Sequence, residues 1–406
     1  MFCKINPNKT VRPERYNSSN SLRGNLMKLR IARLLALAIL LNPSFPASAQ
    51  GAASEEESFS GAVVCAPGAY LIAPDDCLPL GPSVYLTDLA RLGMSDPPRP
   101  LPASKPSADL AQIPYRYFRY SDEMPTRFYP SLADAQAKSD NALTYASGFV
   151  YISYTSMDES GHFFLSKGGY WIRGDGYRVQ ELPTFQGLVF HETPRVSFGW
   201  TFETIPVKSA PGYNSADTGS VPLWSVVQVY KTEVADGMEW NLIGPGQWVE
   251  GRKVAVVTPN PITPEGVTGN RWIEVNLKEQ SLAVYENNQL VFATMIATGA
   301  KPFWTRPGAF QIFEKKEAET MRNNDPADFY YLEDVPFTMY FDGARALHAA
   351  YWRTHFGFPQ SHGCVNLSVG DARWLFDWAS VGDWVYVHDP SGETPTDPAL
   401  YSNGAY

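Results

Sequence analysis

The chain has 406 residues, 44% of them hydrophobic and 18% charged, too long for one ordinary domain and too apolar for a disordered chain. Its formal net charge is −9, and eight bases (Lys4, Lys9, Arg12, Arg15, Arg23, Lys28, Arg30 and Arg33) stand in the first 49 residues against a single acid, Glu14. Beyond residue 49 the chain is more acidic still, so the cationic surface that displaces counterions from a polynucleotide is missing and nucleic acid is excluded as a partner class.

Residues 1–49 read as an export signal. Lys28, Arg30 and Arg33 follow Met27, Leu34 to Leu41 form an apolar run of 8 residues, Pro43 and Pro46 break it, and Ala47-Ser48-Ala49 offers the small residues a signal peptidase accepts. The run is far shorter than the ~20 residues a spanning helix needs, and no later segment reads as transmembrane. Either Met27 is the true initiator or residues 1–26 precede it. The bland alternative is a retained anchor. The expected location is therefore extracytoplasmic, in the periplasm or cell wall.

Residues 50–108 begin with an acidic tether. Cys65 and Cys77 then bracket an 11-residue stretch containing Pro, Gly and Asp. In an oxidising compartment this reads as a disulfide-closed loop worth about 2–3 kcal/mol; two unpaired thiols are the alternative. A short helix is expected near Leu86–Leu92, followed by a stiff Pro-rich linker over Pro97–Pro106.

Over residues 109–258, short runs rich in Val, Tyr, Phe and Trp alternate with Gly/Pro/Asp turns, which predicts strands. A weak internal echo links Met124–Trp171 with Ile205–Trp248. It fits two tandem SH3-like modules, and a single mixed β domain fits as well. Trp171, Trp224, Trp240 and Trp248 are expected to pack these cores rather than to stack on glycans. A second linker spans residues 259–270.

Residues 271–389 open on clean alternation, Trp272-Ile-Glu-Val-Asn-Leu and Ser281-Leu-Ala-Val-Tyr, with a turn at Asn287-Asn288 and a return through Leu290–Ile296. Ser368 with Asp371 reads as a helix start, with the acid favouring the positive helix end and the helix running through Ser380. Trp384–His388 is a last strand, and 390–406 is a tail. The fold class is mainly β, a β-sandwich with a short helix.

Chemistry concentrates in Ser361-His362-Gly363-Cys364-Val365-Asn366. With Cys3 in the leader and Cys65 and Cys77 paired, Cys364 is the odd thiol, which in an exported protein suggests reactivity. Gly363 lets the backbone approach a ligand closely, and neighbouring N–H groups could hold an oxyanion. An adjacent imidazole would raise the thiolate fraction of a cysteine. His348 lies sixteen residues upstream, within reach of a strand-and-loop return. His362 is the alternative base, and His355 reads as a surface residue. The equal seven-residue steps of His348, His355 and His362 do not match the spacing of zinc ligands, so no metal is expected.

These residues resemble the catalytic motif of the L,D-transpeptidases of the YkuD type. His348, Ser361, His362, Gly363, Cys364, Val365 and Asn366 match that motif, and Thr298-Gly299, Thr305–Phe310, Phe356–Pro359 and Asp371–Leu375 resemble its flanks. Ala349 stands where glycine is usual and Arg306 where proline is usual; neither change removes a reacting side chain. The resemblance covers about Arg271 to Asp389. It implies a cofactor-free acyl transfer on peptidoglycan stem peptides, with Cys364 as nucleophile and His348 as general base and then acid. The Gly363 and Cys364 N–H groups would stabilise the oxyanion, and Ser361, His362 and Asn366 would shape the loop or contact substrate. It also implies inhibition by carbapenems. L,D-carboxypeptidase trimming and a non-catalytic peptidoglycan-binding protein are the alternatives, with hydrolysis of another amide a third.

Overall fold

The alternating segments at 271–295 place every second side chain on one face, and that face must be covered by another layer. In the computed structural model, which describes residues 82–120, 125–174, 178–325 and 328–401 with short pieces at 68–72, 75 and 78, two sheets provide it. The proposed signal segment, Cys65 and Cys77 lie outside the described residues. Among the described residues no helix is long and apolar enough to cross a membrane.

The first sheet runs Ala103–Ser104, Leu188–Phe190, Gln289–Met295, Ser281–Glu286, Arg271–Asn276, Trp384–His388, Gly308–Gln311. Its neighbours are antiparallel except for Arg271–Asn276 against Trp384–His388, which are parallel. The second sheet is centred on the long strand Tyr330–Asp342, flanked by Arg345–Ala349 and then Val365–Leu367. Ile273, Val275, Val284 and Phe292 from the first sheet meet Val335, Met339, Leu347 and Val365 from the second, and Leu375 of the helix closes the same cluster. Removing these side chains from water supplies most of the cohesion between the layers.

The helix Val369–Trp378 starts where the sequence indicates, with the Ser368 hydroxyl accepting the Asp371 N–H at 3.3 Å, and it ends two residues before Ser380. Asp371 lies in the first turn, as expected, and has further partners. It is fully buried and accepts the Gly187 N–H at 2.9 and 3.1 Å and the Thr294 hydroxyl at 2.6 Å. Burial pushes its carboxyl up to about 6, against which the hydroxyl and amide donors work.

The internal echo is a repeated strand order. Arg116–Arg119 pairs with both Phe149–Met157 and Arg178–Val179, and Arg127–Tyr129 pairs with both Leu143–Thr144 and Trp171–Arg173. Likewise Ser197–Thr201 pairs with both Val226–Val229 and Val254–Val257, and Ile205–Lys208 pairs with both Asp217–Val221 and Gln247–Glu250. Each unit is thus a small set of antiparallel strands with the same pairing order. Trp240 and Trp248 are buried in the second, whereas Trp224 packs on the cluster it shares with the sandwich.

Neither unit stands apart from the sandwich, and the expected breaks at 108 and 258 do not interrupt its sheets. Phe149–Tyr151 pairs in parallel with Tyr330–Leu332, so the first unit extends the second sheet. The Pro-rich stretch expected to be a linker supplies Ala103–Ser104, paired with Leu188–Phe190 at the edge of the first sheet. The segment 259–270 is also anchored, through buried Val267 and through Asn260, whose N–H donates to the Tyr285 hydroxyl at 3.0 Å. Backbone pairing and shared apolar surface were available at these edges, and the polar punctuation read as linkers covers only the turns between them.

Candidate active site

The strand-and-loop return is a parallel crossover. Arg345–Ala349 and Val365–Leu367 lie side by side with His348 opposite Asn366 and Leu347 opposite Val365, which sets Cys364 level with Ala346. Residues sixteen apart in sequence thus reach one place because the strands share a register. Cys364 is a free, partly accessible thiol whose Sγ lies 3.7 Å from the Ala344 carbonyl, the acceptor for its S–H.

The imidazole of His348 is buried among Trp352 and the strand backbones. Its Nδ1 lies 3.0 Å from the Ala349 carbonyl. A carbonyl only accepts, so Nδ1 carries the hydrogen and Nε2 the lone pair. Nε2 lies 3.2 Å from the Asn366 Nδ2. The amide orientation follows from its other end, where the Arg353 Nε, which can only donate, contacts Oδ1. The arrangement is a directed chain, Arg353 to Asn366 to His348 to Ala349. The usual glycine at 349 is not required, because only the carbonyl of Ala349 is used.

Burial draws the His348 imidazole down to about 4; the Ala349 hydrogen bond opposes this and the Arg353 charge adds to it. Burial also pushes the Cys364 thiol upward, partly offset by the Ala346 N–H and the Arg345 charge. Both shifts favour the uncharged forms, a thiol and a neutral imidazole, because the charged forms are poorly solvated there.

Residues 270–387 match the L,D-transpeptidase catalytic domain family, YkuD. No match was found among curated proteins. Similar solved structures include an L,D-transpeptidase from Stackebrandtia nassauensis, 29% identical over 32% of this chain and 59% of that one, TM-score 0.27. They also include the catalytic domain of an E. faecium L,D-transpeptidase, 27% identical over 30% of this chain and 100% of that one, TM-score 0.27. The same E. faecium domain acylated by ertapenem aligns with the same identity and coverage at TM-score 0.28. The chain spans 59% of the length of the Stackebrandtia structure.

Within the L,D-transpeptidase-type domain, Cys364 opens on two cavities. One, of about 250 Å³, holds His348, Ser361, His362, Cys364 and Asn366 together with Phe149, Met321, Trp352 and Arg353. The other, of about 270 Å³, is lined by Glu319, Arg322, Tyr340 and Arg345 under the hairpin Glu314–Asn323/Tyr330–Asp342. His362 and Tyr330 border both cavities.

The remaining motif residues divide by role. His362 is turned to the hairpin, its Nε2 3.1 Å from Asp328, its ring against Phe303 and Tyr330. It is half-exposed and engaged by a carboxylate, so it does not take the buried place beside the strand pair. His355 is a surface residue, its Nδ1 2.9 Å from the Thr354 hydroxyl. The Ser361 hydroxyl donates to the Cys364 carbonyl at 2.6 Å and accepts the Gly363 N–H at 3.1 Å. Gly363 itself has φ +112, and a Cβ there would come within 3.1 Å of the Arg345 guanidinium, so glycine is required. The Gly363 N–H, expected as an oxyanion donor, is engaged within the loop. The loop spends that hydrogen on Ser361, because a buried N–H must be satisfied before substrate arrives. Arg306, in place of the usual proline, is taken up by Asp342 at 3.0 Å and by the face of Phe310. Among the described residues no cluster of His, Cys, Asp and Glu suits a metal.

The sequence reading missed Arg353, Tyr330, Met321 and Phe149. Arg353 carried a faint signal, a charge set directly after Tyr351-Trp352. The others reach the site only through sheet pairing.

Proposed function

We propose that this protein is an exported peptidoglycan L,D-transpeptidase that joins stem peptides through a thioester on Cys364. The observation that supports this most is the sharing of one cavity by Cys364 and a buried, tautomerically fixed His348 inside the segment that matches the family.

In this reading the Cys364 sulfur attacks the carbonyl between a diamino acid and the terminal D-alanine. As the C–S bond forms, the thiol proton passes to Nε2 of His348. The arriving proton displaces the Asn366 hydrogen bond, and Asn366 cannot turn its oxygen to the new N–H because Arg353 holds that oxygen. The imidazolium is thus short-lived by construction and returns its proton to the departing D-alanine amine as the C–N bond breaks. The side-chain amine of a second stem then attacks the thioester, loses a proton to His348, and the thiol leaves with that proton. With the Gly363 N–H engaged by Ser361, the Cys364 N–H is the remaining oxyanion donor of the expected pair; losing such a donor costs about 3 kcal/mol.

Trimming by water instead of an amine uses the same first half. The partition between the two rests on what enters the second cavity, whose bases and acid suit a charged acceptor. Purified protein from residue 50 onward, incubated with tetrapeptide stems with and without an acceptor amine, is expected to yield cross-linked and D-alanine-free products that mass analysis separates. Cys364→Ala is expected to yield neither while melting like the wild type, and near-normal turnover by that variant would end the proposal. Carbapenem should add covalently to Cys364, as the ertapenem-acylated E. faecium domain is described; an adduct at another residue counts against the assignment.

A further inference from the structure

The cavity holding His348 and Cys364 is walled by Phe149, Met321, Leu332 and Trp352, and among the described residues that line it there is no aspartate or glutamate. It nevertheless contains a guanidinium. Arg353 donates from Nε to Asn366 Oδ1, from Nη1 to Gln360 Oε1 at 2.8 Å and from Nη2 to the Gln360 carbonyl at 2.8 Å. All three acceptors are neutral, so these bonds use three of its five N–H groups, and among the described residues no carboxylate is paired with the charge. Arg345, which lines the second cavity at Cys364, is by contrast paired with Asp342 at 3.1 Å. Burial draws the Arg353 guanidinium down to about 10, the sign of a cation held without an anion.

A desolvated cation is costly unless something negative joins it, and a guanidinium fork matches a carboxylate in shape. Gln360 and Asn366 fix the fork without neutralising it, which is how a site is pre-organised for an incoming anion. We propose that Arg353 is the specificity-determining anchor for a free carboxylate on the acyl donor, positioned beside the carbonyl that Cys364 attacks. Under the transpeptidase reading on which this rests in part, that group is the C-terminal carboxylate of the departing D-amino acid. The enzyme then takes the last residue of a stem and not an internal amide.

Two alkylating agents test the anchor without any peptide. Iodoacetate carries a carboxylate next to its electrophilic carbon and iodoacetamide a neutral amide. In both, the Cys364 sulfur forms a C–S bond, iodide departs and the thiol proton is lost to His348 or water. Rates at Cys364 are followed in the full chain by the mass of the peptide that contains it, apart from the other cysteines. The wild type is expected to favour iodoacetate over iodoacetamide by about tenfold or more relative to Arg353→Gln, with Arg353→Lys in between. The same ratio in wild type and Arg353→Gln overturns the anchor. Because Arg353 also braces Gln360 and Asn366, melting curves accompany each variant. If Arg353→Gln does not fold, protection of the wild-type thiol by D-alanine but not by D-alaninamide replaces it, and equal protection by both overturns the proposal. A tetrapeptide stem with a free C-terminus is expected to be processed by the wild type about 10- to 100-fold better than its C-terminal amide, the difference lying in KM. Arg353-dependent iodoacetate preference without any stem turnover would sink the transpeptidase reading and leave the anchor standing.

Discussion

His348 and His362 line the cavity of Cys364 from two regions, the strand pair behind it and the loop beneath the hairpin. The first is buried, fixed in one tautomer by a carbonyl, and bridged by an amide to a guanidinium. The second is half-exposed, lies two residues from the cysteine in sequence, and is held by Asp328. Nearness along the chain therefore misleads. A base must present a lone pair and stay neutral, and burial in the strand pair favours both for His348, whereas the His362 ring is turned to a carboxylate on the hairpin.

The sharpest break of this contrast is His348→Ala. Loss of a positioned general base is expected to slow acylation by about 10²- to 10⁴-fold with little change in KM. Stopped-flow acylation by a carbapenem measures it. A loss smaller than that of His362→Ala would reverse the two assignments.

Asn366→Ala comes next. It strips the imidazole of its lateral support and leaves the Arg353 Nε without its acceptor, so it is expected to slow acylation about tenfold and to cost about 1–3 kcal/mol in thermal unfolding. Its distinguishing sign lies in pH. With the amide gone, Nε2 binds a proton more readily, and the acid limb of the rate profile should move upward toward the ordinary histidine range. A variant that is slower but keeps the wild-type limb would make Asn366 a packing residue only.

The wild-type profile sharpens the same point. The depressed imidazole keeps its base form until pH falls to about 4, so acylation should persist through about pH 5 and decline only below that. The thiol is shifted the other way, so no thiolate absorbance attributable to Cys364 should be seen at neutral pH. A difference spectrum against Cys364→Ser that shows thiolate below pH 7 would establish an ion pair and refute the neutral one.

Much of this site was legible in the sequence for one reason. The Ser361–Asn366 motif and the upstream His348 are local features, and a two-strand return is the shortest way to join them. The Ser368 cap was legible for the same reason, since its partner is three residues away. The first wall of the cavity was not. Phe149 arrives from a unit read as a separate module, by a parallel pairing with Tyr330–Leu332 that no local pattern announces. Asp371 shows the limit within one residue. Its place in the first helical turn was readable, yet its burial under Gly187 depends on a segment 184 residues away. Gly363 was legible as a glycine the backbone needs, but the hydroxyl that engages its N–H sits two residues back and only the folded loop brings it round.

The smallest effect expected is that of His362→Ala on the chemical step. An exposed imidazole–carboxylate contact is worth about 0–1 kcal/mol, so acylation by a small neutral electrophile should change by no more than about fivefold. The ring also borders both cavities and packs on Tyr330, so the variant should weaken binding of a stem peptide more than it slows the thiol. A rise in KM with kcat nearly unchanged, and partial recovery by His362→Gln, which can still reach Asp328, fit a residue that holds the hairpin against the loop. A fall in kcat shared by both variants, with KM unaltered, would instead place a proton transfer on this ring and return the two histidines to equal standing.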